Sequence, residues 1–162
     1  MKTLLKTVSI LAFAILTLVS FNTTAPSSSY KCMIQMINYT GEGAYIAISL
    51  IDPNGNYEKT LYVHGDDDKW YHDITEWWKF YGKRRPDIDA IVGATMSGGK
   101  RNISIIEIEN DKIDSGYSIR FETAVEDQEY YKNDVQFKLT STSIKSKVDG
   151  KGFIRYVRML PQ

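Results

Sequence analysis

Tyr117-Ser-Ile-Arg-Phe-Glu-Thr-Ala-Val125 decides the fold class of this chain. Tyr117, Ile119, Phe121, Thr123 and Val125 alternate with Ser118, Arg120, Glu122 and Ala124. A strand turns successive side chains to opposite faces, so the first set is expected on a core and the second in solvent. The same alternation sets Ala44, Ile46, Ile48 and Leu50 against Tyr45, Ala47 and Ser49. It sets Leu61 and Val63 against Thr60, Tyr62 and His64, and Val135, Phe137 and Leu139 against Gln136, Lys138 and Thr140. Asp52-Pro-Asn-Gly55 and Asp149-Gly150 supply turns between such runs. Ile103 to Glu109 switches faces midway, which predicts a bulge or a strand buried on both sides. Phe153 to Leu160 reads as a closing strand. About seven or eight short strands at this spacing predict a mainly β chain folded as an antiparallel sandwich.

One helix interrupts the pattern, in Asp73-Ile-Thr-Glu-Trp-Trp-Lys-Phe-Tyr-Gly82. Ile74, Trp77, Trp78 and Tyr81 fall at i, i+3, i+4 and i+7, one face of a short aromatic helix. Asp73 followed three residues later by Glu76 predicts a capping box, and Gly82 a left-handed stop. Such a helix is expected to plug one end of the sandwich.

Lys2 and Lys6, then the uncharged run Thr7 to Phe21, then small polar residues to Ser29 give the layout of a secretory signal. The expectation is a signal peptide over residues 1–27, with a retained anchor as the alternative, and one domain over 28–162 in the periplasm or outside the cell. No membrane span is expected after cleavage. Without residues 1–27 the formal balance moves from 20 − 20 to 18 − 20, or −2. A near-neutral domain lacks the basic footprint of a nucleic-acid binder. The lone Cys32 reads as a small strand hydrophobe.

The segment richest in chemistry is Asp87 to Lys100, which holds Gly93, Gly98 and Gly99 with Lys83, Arg84, Arg85, Lys100 and Arg101 on its flanks. Glycines permit close approach of backbone to a ligand, and exposed amides beside cations can hold a phosphate. The bland alternative is a flexible connection with solvated charges. His64, Asp66-Asp-Asp68, His72 and Asp73 gather donor atoms in ten residues. They lack the alternating spacing of a calcium loop, so no metal site is expected and a solvated acidic loop is the simpler reading. No Gly-x-Ser-x-Gly elbow occurs and the two histidines share one loop, so no catalytic set is expected and the chain is not read as an enzyme.

Thr60-Leu61, Trp77-Trp78, Asp89-Ala90 and Gly93-Ala94-Thr95 carry a resemblance to a family of predicted periplasmic proteins (domain of unknown function 2271). The resemblance implies an immunoglobulin-like sandwich. It also implies an accessory part in extracytoplasmic electron transfer, beside a membrane flavoprotein reductase and a flavin transferase. Asp89 to Thr95 is similar, in addition, to the acceptor stretch of exported flavoproteins that carry flavin mononucleotide (FMN) esterified to a threonine. Asp89, Gly93, Ala94 and Thr95 match that stretch, with Thr95 as the acceptor; Val92 departs from its usual Ser or Thr. On this reading Trp77, Trp78 and Tyr81 wall the flavin ring, and Lys100 and Arg101 neutralise its phosphate. Two other readings stand beside it. One is a structural or adhesion-type interaction module without cofactor; the other is a binder of a soluble ligand with the aromatic helix as lid.

Overall fold

The computed structural model describes residues 25–162. The expected signal or anchor segment falls, up to residue 24, outside the described residues. β1 (Ser27–Met36), β5 (Arg101–Glu109), β8 (Lys147–Asp149) and β9 (Ile154–Pro161) form a four-stranded sheet in the order β5-β1-β9-β8. β2 (Tyr45–Ile51), β3 (Tyr57–His64), β4 (Val92–Gly93), β6 (Ser118–Ala124) and β7 (Tyr130–Lys138) form a five-stranded sheet in the order β4-β3-β2-β6-β7. Pairing is antiparallel except between β3 and the two-residue β4, which run parallel. The two-sheet, mainly β architecture read from the alternation is present. This strand order does not itself establish the immunoglobulin-like connectivity implied by the resemblance.

The main core lies between the sheets. Cys32, Ile34 and Met36 of β1 and Val157 and Met159 of β9 belong to the same apolar cluster as Ile46, Ile48, Leu50, Ile119 and Phe121. Burial pushes the Cys32 thiol up to about 12, which leaves it protonated and inert.

The second face of the five-stranded sheet is also covered, and here the alternation misleads. Ser118, Arg120, Glu122 and Ala124, expected in solvent, are all buried. The covering layer is the 3-10 segment Asp68–Asp73 with helix α1 (Thr75–Tyr81), which packs Tyr71, Ile74 and Trp77 against Ala47, Val63 and Ala124. The helix therefore lies flat on the sheet as a third layer and does not plug an end. Burying the Trp77 side chain alone is worth up to about 5 kcal/mol on area grounds.

Three local expectations are corrected by packing. The capping box is absent: the residue before α1 is Ile74, with no side-chain cap. The sheet supplies the acceptors instead, Tyr130 Oη for the Glu76 amide at 3.1 Å and Glu122 Oε2 for the Trp77 amide at 3.2 Å. Gly82 is right-handed (φ −61°), and the left-handed residue is Arg85 (φ 40°), whose amide returns to the Tyr81 carbonyl. In β3 the register slips between Ile48↔Tyr62 and Ser49↔Thr60, so Leu61 is an extra residue. Leu61 thus joins the core between the sheets while Val63 joins the layer under α1, not one shared face.

β5 shows the opposite case. Its register with β1 is unbroken from Arg101 to Glu109, with Ile106 and Ile108 inside and Ile103 and Ile105 outside. There is neither a bulge nor burial on both sides; the two isoleucines are 57% and 43% exposed on an edge strand.

Candidate functional site

The stretch around Thr95 is held at both ends by backbone pairing. Upstream, Gly93 pairs with His64, and its carbonyl accepts from the Gly65 amide at 2.6 Å. Downstream, Met96 and Ala44 exchange two backbone bonds of 2.8 and 3.0 Å. Tyr39 braces that bridge, its hydroxyl accepting from the Ala44 amide and donating to the Met96 carbonyl. Two residues, Ala94 and Thr95, span the gap. Ala94 is exposed, Thr95 half-buried and Met96 buried. Thr95 Oγ1 makes no hydrogen bond among the described residues and lies against Gly43. A Cβ on Gly43 would stand 2.3 Å from Thr95 Oγ1, so that glycine makes the room for the hydroxyl.

His64 sits behind this span. It is buried, its Nδ1 lies 3.3 Å from the Ala94 carbonyl, and its Nε2 has no partner. Burial pushes its pKa down to about 4, so the ring is neutral near pH 7. The sequence placed His64 with His72 in one solvated loop. The structure separates them: His64 ends β3 in the interior and His72 is exposed in the 3-10 segment. Among the described residues no group of three or more His, Cys, Asp or Glu side chains is placed to hold a metal.

The recess beside Thr95 has a volume of about 150 Å³. Its wall carries Glu42, Asp66, Asp73 and Glu126, together with Tyr45 and Trp70. Four carboxylates and no cation give it a negative potential, contrary to the positive surround read from the sequence. Lys100 and Arg101 are not part of it. Lys100 continues the chain into β5, its carbonyl accepting from the Met36 amide. Arg101 donates to Gln35 Oε1 at 3.0 Å and to Tyr156 Oη at 3.2 Å, on the four-stranded sheet.

The helix aromatics are likewise elsewhere. Trp77 is fully buried, its Nε1 donating to Thr60 Oγ1 at 2.9 Å and its ring stacked on Tyr81 at 4.6 Å. Trp78 and Tyr81 are half-buried and line a different recess, where the Arg85 guanidinium lies 5.1 Å over the Trp78 ring. Asp89 is exposed in the turn Asp89–Ile91 and shares an acidic recess with Asp66, Asp67 and Asp68. Of the expected set, Gly93, Ala94 and Thr95 are together; Asp89 is near in sequence only, and the ring wall and phosphate partners are not at the hydroxyl. The aromatics that share the recess with Thr95 are Tyr45 and Trp70, neither of which the sequence reading assigned to the site; Trp70 is the indole. Its position in Gly65-Asp-Asp-Asp-Lys-Trp70, with no apolar periodicity, marks it as an indole not needed by the core.

Two buried carboxylates have structural posts. Glu122 accepts from the Tyr57 and Tyr130 hydroxyls and the Trp77 amide, tying α1 to the sheet; burial raises its pKa. Asp134 accepts from Thr123 Oγ1 and from the amides of Lys151, Gly152 and Ile154, tying β7 to the turn before β9.

No helix among the described residues is long and apolar enough to cross a membrane. No curated protein and no solved structure matches the chain. A family model does, from residue 27 to residue 156, which takes in both sheets up to the start of β9, α1 and the Thr95 span. The chain belongs to the family of predicted periplasmic proteins designated domain of unknown function 2271, and its place is extracytoplasmic.

Proposed function

We propose that this periplasmic protein is a non-hydrolytic carrier in an extracytoplasmic electron-transfer system, with FMN esterified to Thr95. The observation that carries the reading is the Thr95 hydroxyl itself. It stands half-exposed between two backbone anchors, beside an exposed alanine and over a glycine, with no internal hydrogen bond to break. Attachment requires only such a hydroxyl, and the surrounding residues fit it. They do not fit an enclosing cradle, since Trp77 is sealed under α1 and Arg101 is engaged with Gln35 and Tyr156.

The acidic recess gives this difference a consequence. A phosphodiester on Thr95 adds negative charge beside Glu42, Asp66, Asp73 and Glu126, and like charges repel. The attached group is therefore turned outward, where a partner reaches it. Bound FMN supplies one- and two-electron chemistry; the protein supplies a fixed tether. Coexpression of the chain with a flavin transferase, followed by intact mass, tests the proposal. One FMN per chain, lost in Thr95→Ala, supports it. An unmodified chain alongside a flavinylated control substrate overturns it.

One observation favours the interaction-module reading. Ile103, Ile105 and Leu160 are exposed, and Lys31 stands across from both Ile105 and Leu160 on one face of the four-stranded sheet. A colourless protein whose self-association disappears in Ile103→Lys/Ile105→Lys supports that reading instead.

A further inference from the structure

A larger recess than the one at Thr95 lies elsewhere on the five-stranded sheet. It is bordered by α1 and by Gly55 and Asn56 of the β2–β3 turn, and has a volume of about 590 Å³. That is the size of sites that hold small organic ligands. Five cations line it: Lys79, Lys83, Arg84, Arg120 and Lys132, against two acids, Glu58 and Glu76. Glu76 is already engaged by Lys79 and, at 3.4 Å, by Lys132. Lys83, Arg84 and Arg120 make no ion pair among the described residues.

Arg120 is the informative member, because it is only 7% exposed. A buried cation is costly unless something compensates it. Its Nε donates to Gln136 Oε1 at 3.0 Å, and its guanidinium carbon lies 5.2 Å over the Tyr57 ring, which fixes the fork in place. Tyr57 in turn stacks on Phe80 at 5.3 Å, and both rings border the recess. A fixed guanidinium, flanked by Lys83 and Arg84 beside an aromatic pair, is the chemistry that recognises a phosphate with an organic body.

We infer that this recess binds a phosphate monoester, with Arg120, Lys83 and Arg84 on the phosphate and Phe80 beside the organic part. The inference does not depend on the flavin reading, since Thr95 lies outside the recess. Isothermal titration of the mature protein with AMP and with adenosine tests it, together with cosedimentation on phosphatidic-acid vesicles. The expected result is binding of AMP at least tenfold tighter than adenosine, weakened at least tenfold in the exposed double variant Lys83→Ala/Arg84→Ala and by raised salt. Arg120→Gln, if folded by circular dichroism, shows the same loss; the double variant carries the test if it is not. Binding to the vesicles in place of AMP, lost in the same variant, assigns the phosphate to a lipid headgroup. Binding of neither probe, or affinity unchanged in the double variant, overturns the inference.

Discussion

Replacing Glu122 tests the three-layer packing most sharply. Its carboxylate is the common acceptor for the Tyr57 and Tyr130 hydroxyls and for the Trp77 amide, inside the layer between α1 and the sheet. Glu122→Ala leaves one buried donor, the Trp77 amide, and two half-buried donors, the Tyr57 and Tyr130 hydroxyls, without that acceptor, at roughly 1–3 kcal/mol each before relaxation. Part of this is recovered, because the two tyrosine hydroxyls are only half-buried and water can enter the vacated space. A net loss of about 3–5 kcal/mol is expected, read as a fall of roughly 6–20 °C in Tm for a domain of this size. Glu122→Gln keeps one acceptor oxygen but turns an amide donor toward donors, and loses about half as much.

The pH dependence separates the native protein from both variants. Burial raises the Glu122 pKa above its ordinary value of 4.5, so the folded state binds this proton more tightly than the unfolded chain. The proton's contribution is complete below pH 4.5 and is lost as pH rises through the folded value. The stability advantage of the native protein over Glu122→Gln therefore shrinks from pH 4 upward. Chemical denaturation at several pH values measures it. An advantage that grows with pH, or a Glu122→Ala variant within 1 kcal/mol of the native protein, refutes the reasoning.

His64 gives the opposite slope. Its pKa falls from 6.5 to about 4 on folding, so stability is lost as pH drops through that window, by about 3 kcal/mol in all. The slope is absent in His64→Gln, measured the same way. Asp134→Ala removes the acceptor of four bonds at zero exposure; a loss of about 3–5 kcal/mol is expected by urea denaturation. Gly43→Ala sets a methyl against Thr95 Oγ1 and is expected to cut flavin incorporation at least tenfold while changing Tm by only a few degrees, read by in-gel flavin fluorescence and thermal melts.

Strand alternation made the sheets legible because one face of each strand meets the apolar core, as in Ile46, Ile48 and Leu50. It failed on β6, where Ser118, Arg120 and Glu122 are buried and Glu122 finds its partners in the Tyr57 hydroxyl of β3, the Tyr130 hydroxyl of β7 and the Trp77 amide of α1. Burial of satisfied polar groups leaves no hydropathy signal. The helix was legible from its stripe, but its cap was not, since Glu122 and Tyr130 are 45 and 54 residues away in the chain. At the candidate site, Gly93-Ala94-Thr95 could be read as a small-residue presentation of one hydroxyl. The charge around it could not, because Glu42 and Glu126 reach Thr95 only through the fold, while the nearer Lys100 and Arg101 are carried off by β5.

Peptide mapping of the mature protein, isolated from cells that make a flavin transferase, is the most direct measurement. Modification by a single FMN on the peptide containing Thr95, in native protein and not in Thr95→Ala, is the predicted result. A threonine 95 peptide found wholly unmodified, or FMN located on another residue, contradicts the account.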